Sequence, residues 1–129
     1  MQLDINRIQH NPTFGQFKFI GKDSTYYIES HINEFELDNF RKIVENENKN
    51  KIVEATISTD PVTGRLKAYL RIFKNGVAVG RFCKEMKPQG RFKSITGYLE
   101  KVSKASSKLL EKYNTAKLIE EVVKDVCKK

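Results

Sequence analysis

The dipeptide Asn75-Gly76 lies between two runs of alternating apolar and polar residues, and it constrains the fold more than any other feature of the sequence. Asn-Gly favours the two-residue turn that joins antiparallel strands, because both residues tolerate a positive φ. Such a turn places Lys74 opposite Val77 and sets the register of both strands. The segment is therefore predicted to form a β-hairpin.

This register assigns every side chain of the hairpin to one of two faces, because opposed residues share a face and neighbours alternate. The same count places Tyr69 opposite Phe82 and Lys67 opposite Lys84. The predicted core face carries Leu66, Ala68, Leu70, Ile72, Val77, Val79 and Cys83. The predicted basic aromatic face carries Arg65, Lys67, Tyr69, Arg71, Phe73, Phe82 and Lys84.

A third strand precedes the hairpin, and the turn residues 60–64 separate the two. A four-residue loop there sets the apolar residues of this strand, Val53, Ala55 and Ile57, beside Leu70, Ala68 and Leu66. Its polar residues, Glu54, Thr56 and Ser58, then join the basic aromatic face, and residues 65–74 form the central strand.

Two further hairpin strands are predicted over residues 16–21 and 24–30, which are rich in aromatic and β-favouring residues. A helix should begin at Asn33, because Glu36 follows at capping-box spacing and Ile32 and Leu37 suit a hydrophobic staple. It should end in the polar stretch 45–50.

The carboxy-terminal part should be helical from near Ser94, with a break at Asn114-Thr115 before a short last helix. The expected fold is α+β, with an antiparallel sheet, the element order β-β-α-β-β-β-α-α and the helices on one face. Residues 1–14 are expected to form an amino-terminal arm, and residues 15–129 a single domain, a length that can bury a core.

Charge is distributed unevenly along the chain. Residues 1–60 hold seven Lys/Arg against ten Asp/Glu, a net charge of −3, whereas residues 61–129 hold seventeen against six, a net charge of +11. Within residues 61–110, twelve basic residues face only Glu85 and Glu100. This footprint suits a polyanion such as nucleic acid, although an anionic membrane surface or an acidic protein is also compatible with it.

A face where cations alternate with aromatic rings suits single-stranded nucleic acid, since rings stack on bases of any identity and cations neutralise phosphates. In the competing interpretation a helix covers the rings, and the cations only reach past them into solvent. Repulsion between Lys67 and Lys84 favours the first interpretation, because an anionic ligand would relieve it. The predicted nucleic-acid-binding residues are Arg65, Lys67, Tyr69, Arg71, Phe73, Phe82, Lys84, Arg91 and Lys93.

Catalytic, metal-binding and cofactor-binding motifs are not found, so we expect a binding protein and not an enzyme, with no cofactor. His10 and His31 have no matching motif, and Cys83 and Cys127 lack metal-site spacing. The absence of a signal sequence or a long apolar run favours a cytoplasmic protein without membrane contact. The alternative to nucleic-acid binding is a protein-interaction or oligomerisation module, with a homo-oligomer as one form.

The order helix, three antiparallel strands, helix over residues 33–113 is similar to that of double-stranded RNA-binding domains. That family has a lysine cluster at the start of its last helix, where this chain has Arg91 and Lys93 followed by Ile95-Thr96-Gly97. The family's contacts are therefore not carried over. A strand-rich binder of single strands with a carboxy-terminal helix, as in the transcriptional coactivator and Whirly proteins, is also similar. No family is assigned from the sequence.

Overall fold

Four strands and three helices make up the described part of the chain, residues 17–49 and 52–127 of a computed structural model. In chain order they are β1 (Phe17–Phe19), α1 (Lys22–His31), α2 (Glu34–Asn48), β2 (Val53–Thr59), β3 (Leu66–Lys74), β4 (Val77–Glu85) and α3 (Ile95–Cys127). The predicted α+β class is confirmed, and the predicted order of elements is wrong. The arm predicted for residues 1–14 lies outside the described residues.

The strands form one mixed sheet in the order β1-β2-β3-β4. Strand β1 runs parallel to β2, with Phe17 beside Ala55 and Phe19 beside Ile57, and the other two pairs are antiparallel. The prediction of a purely antiparallel sheet is therefore wrong at β1. Parallel neighbours need a crossover connection, which α1 and α2 provide here.

Helix α1 replaces the strand predicted over residues 24–30. Gly21 enters it with a φ of 82°, and the Ser24 hydroxyl donates hydrogen bonds to the carbonyl oxygens of Ile20 and Gly21 at 2.7 and 2.9 Å. Ser24 and Ile28 are buried, while Tyr26 between them is exposed. A strand would turn all three side chains to the same face, so burial at four-residue spacing favours the helix despite the aromatic composition.

Helix α2 begins as predicted. The Asn33 side-chain oxygen accepts a hydrogen bond from the Glu36 amide at 2.9 Å, and Ile32 and Leu37 pack against the core. The helix continues to Asn48, through most of the polar stretch in which it was predicted to end. The reason is Glu47, which packs against α3.

The core lies between the helices and one side of the sheet. Four side chains of β3, Leu66, Ala68, Leu70 and Ile72, are at most 1% exposed and join residues of all three helices in one apolar cluster. Between β2 and β3, Ile57 pairs with Ala68, a shift of two residues from the predicted register. An even shift leaves every side chain on its predicted face, because the strand period is two.

The shift of two residues arises in the connection between β2 and β3. The Asp60 carboxylate accepts hydrogen bonds from the Thr63 amide and hydroxyl at 2.9 and 3.0 Å, and Gly64 adopts a φ of 73°. Since Thr59 pairs with Leu66, the connection spans residues 60–65 and is longer than the predicted four-residue loop.

Helix α3 is continuous over 33 residues, so the predicted break at Asn114-Thr115 is wrong. The Ser94 hydroxyl accepts a hydrogen bond from the Gly97 amide at 3.0 Å and marks the predicted start. Asn and Thr lower helix stability by only about 0.7 kcal/mol each relative to Ala, which is too little to end a helix that is already formed as far as Tyr113, because extending a helix is easier than starting one. The last buried side chain is Tyr113, and residues 114–127 extend beyond it.

A buried carboxylate joins α2 to α3. Glu47 accepts a hydrogen bond from the Ser103 hydroxyl at 2.9 Å and another from the Ser106 hydroxyl. Burial raises the pKa of Glu47 above its usual value of 4.5, and the two hydroxyls offset this only in part. The folded state therefore holds the Glu47 proton more tightly than the unfolded chain does.

Glu47→Gln should reduce the pH dependence of stability. Because the folded-state pKa of Glu47 is raised, the free energy of unfolding of the wild type should fall as the pH rises from 4.5 through that pKa. The amide cannot ionise, so the variant should lose this decline. Urea unfolding at pH 5 and pH 8 measures the free energy of unfolding of the wild type and of the variant. Glu45→Gln, an exposed change on the same helix, is the control. Equal pH dependence in all three proteins would contradict the prediction.

Candidate nucleic-acid interface

The sheet face opposite the helices, here named the open face, carries Glu54, Thr56, Ser58, Lys67, Tyr69, Arg71 and Phe73. The core side chains of β2 and β3 alternate with these residues and point the other way. Tyr69 is 39% exposed, and Arg71 and Phe73 are half-buried. Two of the three rings predicted for this face therefore lie on it without being sealed beneath a helix.

Arg71 is fixed at the centre of the open face. Its Nη2 atom lies 2.9 Å from Oε1 of Glu54, a carboxylate that is buried and also accepts a hydrogen bond from the Thr56 hydroxyl at 3.1 Å. The guanidinium carbon lies 5.9 Å from the ring centre of Tyr69 and 5.0 Å from that of Phe73. Both distances are within the range of cation–π attraction, so Arg71 holds the two rings as well as the carboxylate.

The predicted register of β3 and β4 is wrong beyond the turn. Lys74 pairs with Val77 as predicted, but Tyr69 pairs with Glu85 and Arg71 with Cys83. One residue of β3 lies between the paired positions 71 and 73, whereas four residues of β4 lie between positions 78 and 83. Strand β4 therefore contains a bulge of three extra residues. An odd shift moves each following side chain of β4 to the opposite face.

Phe82 changes face because of this bulge. Its ring packs edge-on against Tyr113 of α3, with ring centres 5.3 Å apart, and it joins the core cluster as a partly buried residue. It also lines a groove of about 550 Å³ between β4 and α3. The prediction that Phe82 belongs to the basic aromatic face is therefore wrong. For this ring the competing interpretation, in which a helix covers it, is right.

The expected repulsion between Lys67 and Lys84 is also absent. Lys84 pairs with Leu70, a residue whose side chain faces the helices, and Lys67 forms an ion pair with Glu85 at 2.9 Å. A hydrogen bond and the charge of Glu85 raise the pKa of Lys67. The open face therefore balances two of its cations with two carboxylates, and like-charge repulsion does not argue for an anionic ligand.

The connector between β4 and α3, residues 86–94, is held in place by hydrogen bonds. The Met86 amide donates to the Ala68 carbonyl oxygen at 2.9 Å, and the Gln89 amide donates to that of Leu66 at 2.7 Å. The Leu66 amide donates in turn to the Gln89 side-chain oxygen at 3.3 Å, and the Tyr98 hydroxyl donates to the Lys87 carbonyl oxygen at 2.7 Å. These bonds bring the connector to the end of the sheet where Arg65 precedes β3.

Phe92 lies on this fixed connector and is 96% exposed. The guanidinium carbon of Arg91 lies 5.7 Å from its ring centre, and the exposed Lys93 follows it. The sequence identified the two cations but not the ring between them, although an aromatic residue flanked by cations in a turn-rich segment was the available signal. The connector on which Phe92 lies is fixed by the tertiary hydrogen bonds of Gln89, which the sequence does not reveal.

The predicted site residues therefore divide into three sets. Those on the open face or at its end are Arg65, Lys67, Tyr69, Arg71 and Phe73. Arg91 and Lys93 lie on the connector that is held at the start of β3, and Phe82 and Lys84 lie elsewhere. No group of acidic, cysteine and histidine side chains within residues 17–49 and 52–127 is suited to hold a metal ion.

Comparison of the chain with protein-family models, with curated proteins and with solved structures finds no match. Neither of the two similarities in element order is therefore supported by a relative. Among the described helices, none is both long and apolar enough to cross a membrane.

Arg71→Ala should lower the free energy of unfolding by about 1–3 kcal/mol, because it leaves the buried Glu54 carboxylate without its cation. Adding Glu54→Gln should recover part of the loss, since the amide carries no charge. Lys67→Ala, which removes the more exposed ion pair with Glu85, should cost less than about 1 kcal/mol. Urea denaturation measures the three variants and the wild type, and an equal loss for Arg71→Ala and Lys67→Ala would contradict this role of Arg71.

Proposed function

We propose that this chain binds single-stranded nucleic acid, DNA or RNA, with little sequence specificity. The observation that carries the proposal is Phe92, an almost fully exposed ring between two cations on a connector that hydrogen bonds hold at the start of β3. Such a ring can stack on any base, and the adjacent cations can neutralise the phosphates on either side of it. The proposed activity is binding, without catalysis.

The open face extends this site toward the centre of the sheet. Tyr69 supplies a second accessible ring, and Arg65 supplies a cation that forms no ion pair with a carboxylate among the described residues. Lys67 and Arg71 are engaged by Glu85 and Glu54, so their contribution is to position the face and to add charge nearby. A strand running from Phe92 to Tyr69 would follow a mainly basic surface.

Phe92→Ala should weaken binding of a labelled single-stranded oligonucleotide by about 5- to 100-fold, the effect of losing one stacked base. Fluorescence anisotropy with a labelled 20-nucleotide deoxythymidine or uridine strand measures the affinity. Phe35→Ala is the matched control, since Phe35 is equally exposed but lies at the start of α2. Equal affinity of both variants, or no binding by the wild type at low salt, would contradict the proposal.

Arg91→Ala combined with Lys93→Ala should reduce the dependence of affinity on salt. Each phosphate contact on a single strand contributes about 0.7 to the slope of log affinity against log salt concentration, so two lost contacts should lower the slope by about 1.4. Arg41→Ala with Lys42→Ala removes the same charge from α2 and serves as the control. A change of slope that is the same for both pairs would assign the effect to net charge alone and contradict a local site.

A protein-interaction or oligomerisation role is a second candidate, and the exposed aliphatic side chains at the end of α3 favour it. The two roles use different parts of the molecule, so one does not exclude the other. The cytoplasmic location expected from the sequence suits both.

A further inference from the structure

Five aliphatic side chains lie on one face of the last turns of α3, and each is more than half exposed. They are Leu118, Ile119, Val122, Val123 and Val126, named here the aliphatic stripe. The spacing of three and four residues between them places them together along the helix. A contiguous apolar surface of this kind is uncommon on a protein that has no partner.

The centre of the aliphatic stripe faces away from the core, and Ile119 at its edge also lines the groove between β4 and α3. Val122 follows Tyr113, the last buried residue, by nine positions, which is two and a half turns and therefore the opposite side of the helix. The side toward the domain is polar there, since Glu120 forms an ion pair with Arg81 of β4 at 2.9 Å. The core cluster of the described residues thus lies on the opposite side of α3 from Val122, and it leaves all five side chains of the stripe more than half exposed.

We propose that the aliphatic stripe binds the same stripe of a second copy of this chain, with the two helices antiparallel. An antiparallel pair whose two-fold axis passes between residues 120 and 121 places Ile119 against Val122 and Leu118 against Val123 of the other copy. Every residue of the stripe then meets an apolar residue or, for Val126, the methyl-bearing Thr115. A self-complementary surface is what an interface with two-fold symmetry requires.

The charges favour this partner and this direction. Residues 114–127 hold two basic and three acidic side chains, so the stripe lies in a nearly neutral segment of a chain with a net charge of +8. Parallel helices would bring the two basic domains side by side, whereas antiparallel helices keep them at opposite ends of the pair. Lys117, Glu120 and Lys124 point away from the centre of the stripe: Lys117 lies over the ring of Tyr113, Glu120 pairs with Arg81, and Lys124 is exposed.

The surface available is sufficient for a reversible dimer. An exposed aliphatic side chain presents on the order of 100 Å² of apolar surface, so five from each copy bury on the order of 1,000 Å² in total. This is near the lower limit for a specific interface, and we expect dissociation in the micromolar range.

Sedimentation equilibrium without nucleic acid tests the pairing. The wild type should be dimeric at tens of micromolar, and Val122→Glu and Ile119→Lys should each be monomeric, because each buries a charge against an apolar partner. Val62→Glu is the matched control, since Val62 is 90% exposed in the loop between β2 and β3, and it should remain dimeric. Circular dichroism verifies that all variants are folded.

An equimolar mixture of Val122→Glu and Ile119→Lys tests the direction. In the antiparallel pair the introduced glutamate lies opposite the introduced lysine, and the second contact keeps its native isoleucine and valine, so dimers should form again. In a parallel pair the two charges do not meet, and the mixture should stay monomeric.

A monomeric wild type at about 1 mM, a dimeric Val122→Glu or a monomeric mixture would overturn the proposal. If the wild type is monomeric, the alternative occupants of the stripe are residues 1–16 or another protein. Oligonucleotide binding by the monomeric variants is measured separately, so failure of self-association and failure of nucleic-acid binding are distinguishable.

Discussion

Burial of one side of β3 is the constraint on which the rest of the structure depends. Four alternating residues of this strand are almost completely excluded from water, and side chains from β2 and the three helices pack around them. Because successive residues of a strand point to opposite faces, this burial also determines which residues remain on the open face. Tyr69, Arg71 and Phe73 lie there because Leu70 and Ile72 must lie in the core.

Competition between a local turn and tertiary packing shapes β4. The Asn75-Gly76 turn fixes only the pairs nearest to it, and regular pairing continued from the turn would have left Phe82 on the open face. The bulge instead lets Phe82 pack against Tyr113, which buries aromatic surface and ties β4 to α3. Apolar burial of a large ring outweighs the ladder hydrogen bonds lost at the bulge.

Ion pairs among the described residues distinguish the cations that carboxylates engage from the cations beside Phe92. Arg71 and Lys67 are engaged by carboxylates, whereas Arg91 and Lys93 flank an exposed ring on the connector. The centre of the open face is therefore better suited to orient rings than to neutralise phosphates. The connector and the end of α3 lie apart in the sequence, and each exposes apolar surface of a different kind, aromatic in one and aliphatic in the other.

The sequence by itself determined the α+β class, the start of α2 at Asn33, the turn at Asn75-Gly76 and the faces of β2 and β3, because local capping, turn geometry and alternation specify these features. It also placed Arg91 and Lys93 in a turn-rich connector before the last helical region. Only the tertiary structure decided that residues 22–31 are helical, that β1 is parallel to β2 and that Phe82 leaves the open face. In each of these cases, contacts between residues that are distant in the sequence outweigh a local preference worth about 1 kcal/mol or less. Local sequence patterns do not reveal such contacts.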